Sequence, residues 1–542
     1  MKKIVLPPIS DEEATPLVIE LVRLIEGLWE KTQHQEETIQ RLRDEIAVLK
    51  GEKAKPKFTP SKMDKGAGKA NDDKDVADGS NSKKRPGSAK RSKTPELMIH
   101  EDKVIRPKDP IPADSRFKGY RDFVVQGLII QAHNTRYRLE CWETPDGKLL
   151  VGELPDNLQG HHFDPTLRSF IIYQYHHCHV TQPLLLEQLR EWGIDISVGQ
   201  IDALLNADKD AFHREKDEVL VAGLEVSGAI TVDDSGARHQ GKNGYVTQIG
   251  NELFAWFAST NSKSRINFLE CLHAGALNYR VNENALNYMK EQGLSLAVCE
   301  LLTQNLPIEI NARENWHQSL DALGIKDERH VRIATEGALL GGLLEKGFNP
   351  DLAIISDGAG QFAILLHGLC WIHAERLVHK LIPMNELQRE AIAQVRDQIW
   401  TIYADLKAYK VAPDPTQVDE LKSRFTALFT QRTGYATLDE LLKRLHRHKD
   451  ELLLVLRRPD VPLHTNGSET DIRDFVKIRK VSGGTRSDLG RKCRDTFASL
   501  KKTCRKHNIS FWKYLNDRVA LINAIPPLPA FIRAPSTSGA SP

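Results

Sequence analysis

Gly228-Ala229-Ile230-Thr231-Val232-Asp233-Asp234-Ser235-Gly236 is a short β-branched run that stops on a pair of carboxylates. A second stretch, Leu352-Ala353-Ile354-Ile355-Ser356-Asp357-Gly358, repeats the design: an apolar run, then an acid, then a glycine. Such runs, bounded by turn residues and too short for helices, read as buried strands. A third acid, Glu469 in Asn466-Gly467-Ser468-Glu469-Thr470-Asp471-Ile472-Arg473, instead opens a helical pattern. Three acids thus stand at two strand ends and one helix start, far apart in the chain, so only the fold can bring them together.

One aspartate at a strand end is ordinarily a turn or cap residue. Three carboxylates on rigid neighbouring elements suit a different use. Hard divalent ions prefer carboxylate oxygens, and phosphodiester chemistry commonly employs two such ions roughly 3.5–4 Å apart to activate nucleophile and leaving group. Asp233, Asp357 and Glu469 are therefore the candidate catalytic residues and the candidate ligands of two Mg²⁺ or Mn²⁺ ions.

The residues around these acids narrow the reading. Asp357 is followed by Gly358-Ala359-Gly360-Gln361-Phe362 and then Cys370-Trp371-Ile372-His373-Ala374-Glu375-Arg376; Glu469 is followed by Ile472-Arg473, Arg479-Lys480 and Gly483-Gly484. In this order the motifs resemble those of the insertion sequence 66 family of transposases, over roughly residues 160 to 520. The family shows an Asp-Glu-Thr-Gly-like first motif, Ser-Asp-Gly followed by Cys-Trp-Ala-His-Ala-Arg-Arg, and Asn-x-Ala-Glu-Arg-x-Ile-Arg. Here the first motif is Asp233-Asp234-Ser235-Gly236, so either aspartate could be the ligand, and alignment with the family favours Asp233. Thr470 stands where the family has arginine after the glutamate.

The resemblance implies an Asp-Asp-Glu type transposase that cuts element ends and joins 3′-hydroxyl ends to target DNA. It implies an α/β catalytic core, a ribonuclease H-like mixed sheet flanked by helices. Gly228–Asp233, Gly244–Ile249, Leu253–Ser259 and Leu352–Ile355 fit its first four strands, the second and third as an antiparallel hairpin. The core spans 216–383, including a helical block at 281–345, and resumes at 459–525. An all-helical insertion interrupts it at 384–458, with Leu387, Ile392, Val395, Ile399 and Ile402 on one face and a second apolar set from Leu438 to Leu456. Two other readings remain: a ribonuclease H-like nuclease without strand transfer, and a DNA-binding remnant that has lost catalysis.

Residues 16–50 place Val18, Ile25, Ile39 and Ile46 at one heptad position and Leu21, Leu28, Leu42 and Leu49 three residues on, with Thr32 and Gln35 as a polar layer. This pattern predicts a parallel coiled coil making a homodimer or higher oligomer; an amphipathic helix docked on its own domain is the alternative. Residues 51–97 read as a basic linker, 98–160 as a small β region including Phe123–Val125, Tyr137–Leu139 and Leu149–Val151, and 526–542 as a Pro/Ser-rich tail. The 98–160 zone holds only Cys141, so no structural zinc is expected. Residues 161–215 read as a helix-turn-helix-like segment: Pro183 to Arg190, a turn at Gly193, and a helix capped by Ser197. Ser197 and Gln200 would face DNA bases, while a purely structural helix pair accounts for the same pattern.

With 75 Lys and Arg against 73 Asp and Glu, the net charge of +2 says nothing for DNA; that argument rests on local patches. Arg473, Lys477, Arg479, Lys480 and Arg486, with Arg491 and Lys492, are the candidates for holding phosphates. His367, Cys370 and His373, spaced by three, would share one helix face. Scattered cysteines, and no apolar run of about 18 residues, predict a cytoplasmic, nucleoid-associated bacterial protein with reduced thiols and no membrane contact. DNA is the expected partner, with accessory proteins possible.

Overall fold

The structure is a computed structural model, and it describes residues 98–305 and 310–534. The coiled-coil and basic-linker expectations lie outside these residues, as does the end of the tail. The chain divides into two units, and of the smaller one residues 98–131 are described. They contain no helix or strand, and Phe123 and Val125 are exposed, so the strand expected at 123–125 does not form. Among the described residues nothing covers its apolar side chains.

The larger unit begins with a two-stranded antiparallel hairpin, β1 (Cys141–Glu143) and β2 (Leu149–Val151). Tyr137–Leu139 lies outside it. Helices α1 (Pro165–His176), α2 (Gln182–Glu191) and α3 (Val198–Asn206) follow and share a small core of their own, in which Ile171, Leu185, Leu189, Ile196, Ile201 and Leu205 are buried. Gly193 takes a positive φ at the turn between α2 and α3, as its position in the sequence suggests. Helix α4 (Asp210–Val226) then leads into the main sheet.

That sheet has five strands in the order β5-β4-β3-β6-β7: β3 (Ala229–His239), β4 (Lys242–Gly250), β5 (Ala255–Thr260), β6 (Ala353–Ser356) and β7 (Leu366–Leu369). The first three are antiparallel neighbours, and β6 and β7 continue parallel to β3. Three of the four expected strands keep close to their expected bounds, but β3 runs on to His239. Asp233 therefore lies within a long strand, which turns into β4 through Gln240 and Gly241, both at positive φ, the geometry of a tight two-residue hairpin. β7 was not foreseen: Leu366-His367-Gly368-Leu369 is too short and too mixed to announce itself.

Two helical layers cover the sheet. On one face Ile230, Val232 and Ile354 pack into a large core with α4, α5 (Arg265–Leu272), α6 (Glu283–Glu291), α7 (Leu296–Asn305), α8 (Arg313–Ala322) and α9 (Glu328–Glu345). The helical block at 281–345 is thus part of this layer and shares its core. α9 packs so closely that a Cβ on Gly342 would lie 2.0 Å from the Asn278 carbonyl oxygen.

On the other face Ala353 and Ile355 meet α10 (Trp371–His379) and the helical insertion: α11 (Glu386–Val411), α12 (Val418–Thr430), α13 (Ala436–Arg447) and the short α14 (Lys449–Leu452). The expected α11 face is buried from Ile392 to Ile402, but Leu387 is exposed, one turn before the packing begins. Helix α15 (Asn466–Ser482) crosses the same face at β3, where Ile472 and Phe475 cover Ala237, Val246 and Phe257. α16 (Asp488–Lys506) runs along the β5 edge, and α17 (Phe511–Val519) and α18 (Leu528–Arg533) complete the chain. α18 lies within the expected tail, yet Leu528 and Ile532 are buried.

The β5 edge is closed by side chains. Asp495, Ser499 and Thr503, four residues apart on α16, accept the backbone N–H groups of Ser259 (2.7 Å), Phe257 (2.9 Å) and Ala255 (3.3 Å). The four-residue helical spacing keeps the three on one face, against alternate residues of the strand. An open edge would offer those donors to another strand. No helix among the described residues is long and apolar enough to cross a membrane, and all seven cysteines are free thiols.

Candidate active site

Strand register determines how the two aspartates stand. β3 and β6 are parallel with Thr231 opposite Ile355. Asp233 lies two residues beyond that pair within β3, and Asp357 two residues beyond it in the bend that follows β6, close enough for its charge to act on Asp233.

Alternation along β3 separates Asp233 from Asp234. Thr231 reaches Ser468 on α15 (Oγ1 to Oγ, 2.5 Å) and Ala237 packs beneath α15, so Thr231, Asp233, Ser235 and Ala237 form the face turned to that helix. Asp234 points to the opposite face, where its Oδ2 accepts from Gln361 Nε2 at 2.8 Å. Asp234 thereby fastens the loop that follows Asp357. Glu469, next to Ser468 in the first turn of α15, stands over the Asp233 face.

The electrostatics agree with this placement. Burial first, and then the negative charges of Asp357 and Glu469, push the Asp233 carboxyl up to about 6, against the lowering effects of the Asp234 amide and His373. Asp357 Oδ1 accepts the Ala359 N–H at 3.0 Å, which fixes the turn behind it.

Glu469 is held from the side by α10. Arg376 Nη1 donates to Oε1 at 2.7 Å and Nη2 to Oε2 at 3.2 Å, while His373 Nε2 lies 3.6 Å from Oε1. α10 is itself firmly placed. Trp371 is buried against Phe425 and donates its indole N–H to the Leu452 carbonyl at 2.8 Å, and the buried Glu375 pairs with Arg396 of α11 at 2.5 Å. His373 and Arg376, three residues apart, share the helix face directed at Glu469. The sequence motif Cys370–Arg376 was legible, but not that its arginine clasps the third acid.

His367, Cys370 and His373 do not lie on one helix. His367 is in β7 and bonds Ser356 Oγ through Nε2 at 2.9 Å, Cys370 caps α10, and His373 is inside it. The spacing of three crosses a strand end, where helical periodicity does not apply.

The expected basic residues divide into two groups. Arg473, Lys480 and Arg486 are exposed on or just after α15. Lys477 is paired with Asp474 at 3.3 Å, and Arg479 donates to the Gly236 carbonyl of β3, so Arg479 bolts helix to strand. Arg491 is bound to Asn261 and Asp488, whereas Lys492 is exposed. Ser197 and Gln200 are exposed, but they form a capping box: each side chain accepts the other's backbone N–H, at 3.2 and 2.8 Å. Their polar atoms serve α3 itself.

A hard divalent ion suits the chemistry of Asp233 and Asp357, neighbouring acids of which Asp357 already burdens Asp233 with its charge. Glu469 has the right oxygens but spends both on Arg376. Among the described residues no three His, Cys, Asp or Glu side chains already converge as a metal site.

Comparison with known proteins agrees with the motifs. A protein of Sinorhizobium fredii described as uncharacterized protein y4jO is 44% identical over 319 residues, which cover 58% of this chain and 99% of that relative. Residues 353–492, from β6 through α10 and α15 into α16, match the family described as Transposase IS66 family. The matched segment carries Asp357, the Cys370–Arg376 motif and Glu469, and with them the chain belongs to the IS66 family of transposases.

Proposed function

We propose that this transposase cuts DNA at the ends of its element and joins the freed 3′-hydroxyl ends to target DNA, with Asp233, Asp357 and Glu469 as its acidic centre. The observation that carries the reading is that Asp233 in β3 and Asp357 just past the parallel β6 each follow the Thr231–Ile355 pair by two residues, with Glu469 in the first turn of α15, all three near enough for the charges of Asp357 and Glu469 to act on Asp233. The strand order, three antiparallel strands followed by two parallel ones, supports a ribonuclease H-like core.

Asp233, Asp357 and Glu469 would hold the divalent ions. Bound Mg²⁺ or Mn²⁺ supplies Lewis acidity toward the phosphate and lowers the pKa of a bound nucleophile. The chain's own part is positioning. β3 carries Asp233 and the end of β6 leads straight into Asp357, and Asp234 with Gln361 steadies the loop after Asp357. Arg473, one helical turn from Glu469, and Lys480 lie along α15 to receive backbone phosphates. In cleavage, water bonds to phosphorus as the 3′-oxygen leaves; in joining, that 3′-oxygen bonds to a target phosphorus and a target 3′-oxygen leaves. The Ser197 and Gln200 side chains are committed to their cap, so base reading is not assigned to them.

The test is incubation of the full chain with Mn²⁺ or Mg²⁺, a labelled element end bearing a 3′-hydroxyl, and plasmid target. Labelled plasmid formed by wild type but not by Asp357→Ala supports the reading. Cleavage without joining identifies a nuclease instead, and binding without either reaction a remnant.

A further inference from the structure

Among the described residues, Arg376 is the one cation that grips an acid of the proposed centre with both arms. We propose that Arg376 binds a DNA backbone phosphate, exchanging the Glu469 carboxylate for it, so that arrival of nucleic acid frees Glu469 to join Asp233 and Asp357. The inference rests on the carboxylate assignment above.

Four observations lead to it. The contact is a two-armed fork, Nη1 on Oε1 and Nη2 on Oε2, and the planar guanidinium that fits a carboxylate this way fits a phosphate equally well. With both oxygens engaged, Glu469 cannot ligate an ion at full strength in the DNA-free protein. Both partners also meet solvent, with side-chain exposures of 29% for Arg376 and 19% for Glu469, so a phosphate can reach the guanidinium without unfolding anything.

Finally, the alternatives are taken. Glu375, the neighbouring acid, is committed to Arg396, so it offers Arg376 no other seat. His373 stays within 3.6 Å of Oε1 and can steady Glu469 after the arginine leaves. The helix carrying Arg376 is bolted by Trp371, so the exchange requires side-chain motion alone.

Linkage makes the idea measurable: if DNA strengthens metal binding, metal strengthens DNA binding by the same factor. The experiment is equilibrium Mn²⁺ binding, read from the free-ion electron paramagnetic resonance signal. It uses the full chain with and without a short duplex oligonucleotide, corrected for ions bound by the duplex alone. Wild type is expected to bind Mn²⁺ at least about fivefold tighter with duplex. Arg376→Gln is expected to bind that tightly without duplex and to gain nothing from it, while Arg376→Lys, charged but lacking the fork, falls between.

If the duplex leaves wild-type Mn²⁺ affinity unchanged, the exchange is refuted without reference to any variant. It is equally refuted if folded Arg376→Gln binds Mn²⁺ no better than wild type. Asp357→Ala separates this from the parent reading. Loss of Mn²⁺ binding there upholds the acidic centre whatever Arg376 does, and retained binding removes the centre itself.

Discussion

Replacing Asp233 with Asn should make the metal-free protein more stable and leave it unable to respond to metal. The Asp233 carboxyl is raised from an ordinary 3.8 to about 6, by burial first and by Asp357 and Glu469. The folded chain therefore holds a proton there that the unfolded chain has released. The contribution of Asp233 to stability in chelator should fall as pH climbs from about 4 to about 6, and the whole penalty stands at pH 7.5. At about 1.4 kcal/mol per pH unit the ceiling is ~3 kcal/mol; partial solvent access brings the expectation to ~1–2 kcal/mol. Asparagine keeps the shape of the neutral acid and escapes that penalty.

Urea unfolding in chelator at pH 7.5 should therefore show a higher midpoint for Asp233→Asn at an unchanged slope. Its advantage over wild type should grow as pH rises from about 4 to about 6. Added Mn²⁺ should reverse the ranking, since an ion at a hundred times its dissociation constant stabilises the wild type by about 2.7 kcal/mol and the variant by little. A variant less stable than wild type in chelator, or one that gains as much from Mn²⁺, would refute the reasoning.

Two further outcomes follow from the packing. Asp495→Ala leaves the partly buried Ser259 N–H and hydroxyl without their acceptor, which should cost about 1–2 kcal/mol and speed hydrogen exchange at the Ser259 amide; a loss under ~0.5 kcal/mol counts against the edge closure. Arg473→Ala should weaken DNA binding across all sequences and lower the slope of log affinity against log salt by about one, measured by fluorescence anisotropy; an unchanged slope removes Arg473 from the phosphate track.

Much of the site was legible because strand and helix periods are local properties. Apolar β-branched runs gave β3 and β6, a capping serine gave the start of α3, and the Ile392–Ile402 stripe gave α11. What failed, failed where neighbours decide. Phe123–Val125 has strand residues but, among the described residues, no sheet to join. β7 is four unremarkable residues that become a strand because β6 lies alongside. His367 and Cys370 share a helical spacing across a strand end, and Ser197 and Gln200 look free for bases until the capping box joins them.

The sequence by itself determined the three acids, their order, their kinds of element and the family they resemble. The tertiary structure decided that Asp357 comes close to Asp233, through the pairing of β3 with β6, and that Asp233 rather than Asp234 faces Glu469. It also decided that Arg376 holds Glu469 in the meantime. The physical reason is that a residue's element follows from its near neighbours in the chain. Its level, its face and its charge partner depend on segments more than ninety residues away, which only packing brings into contact.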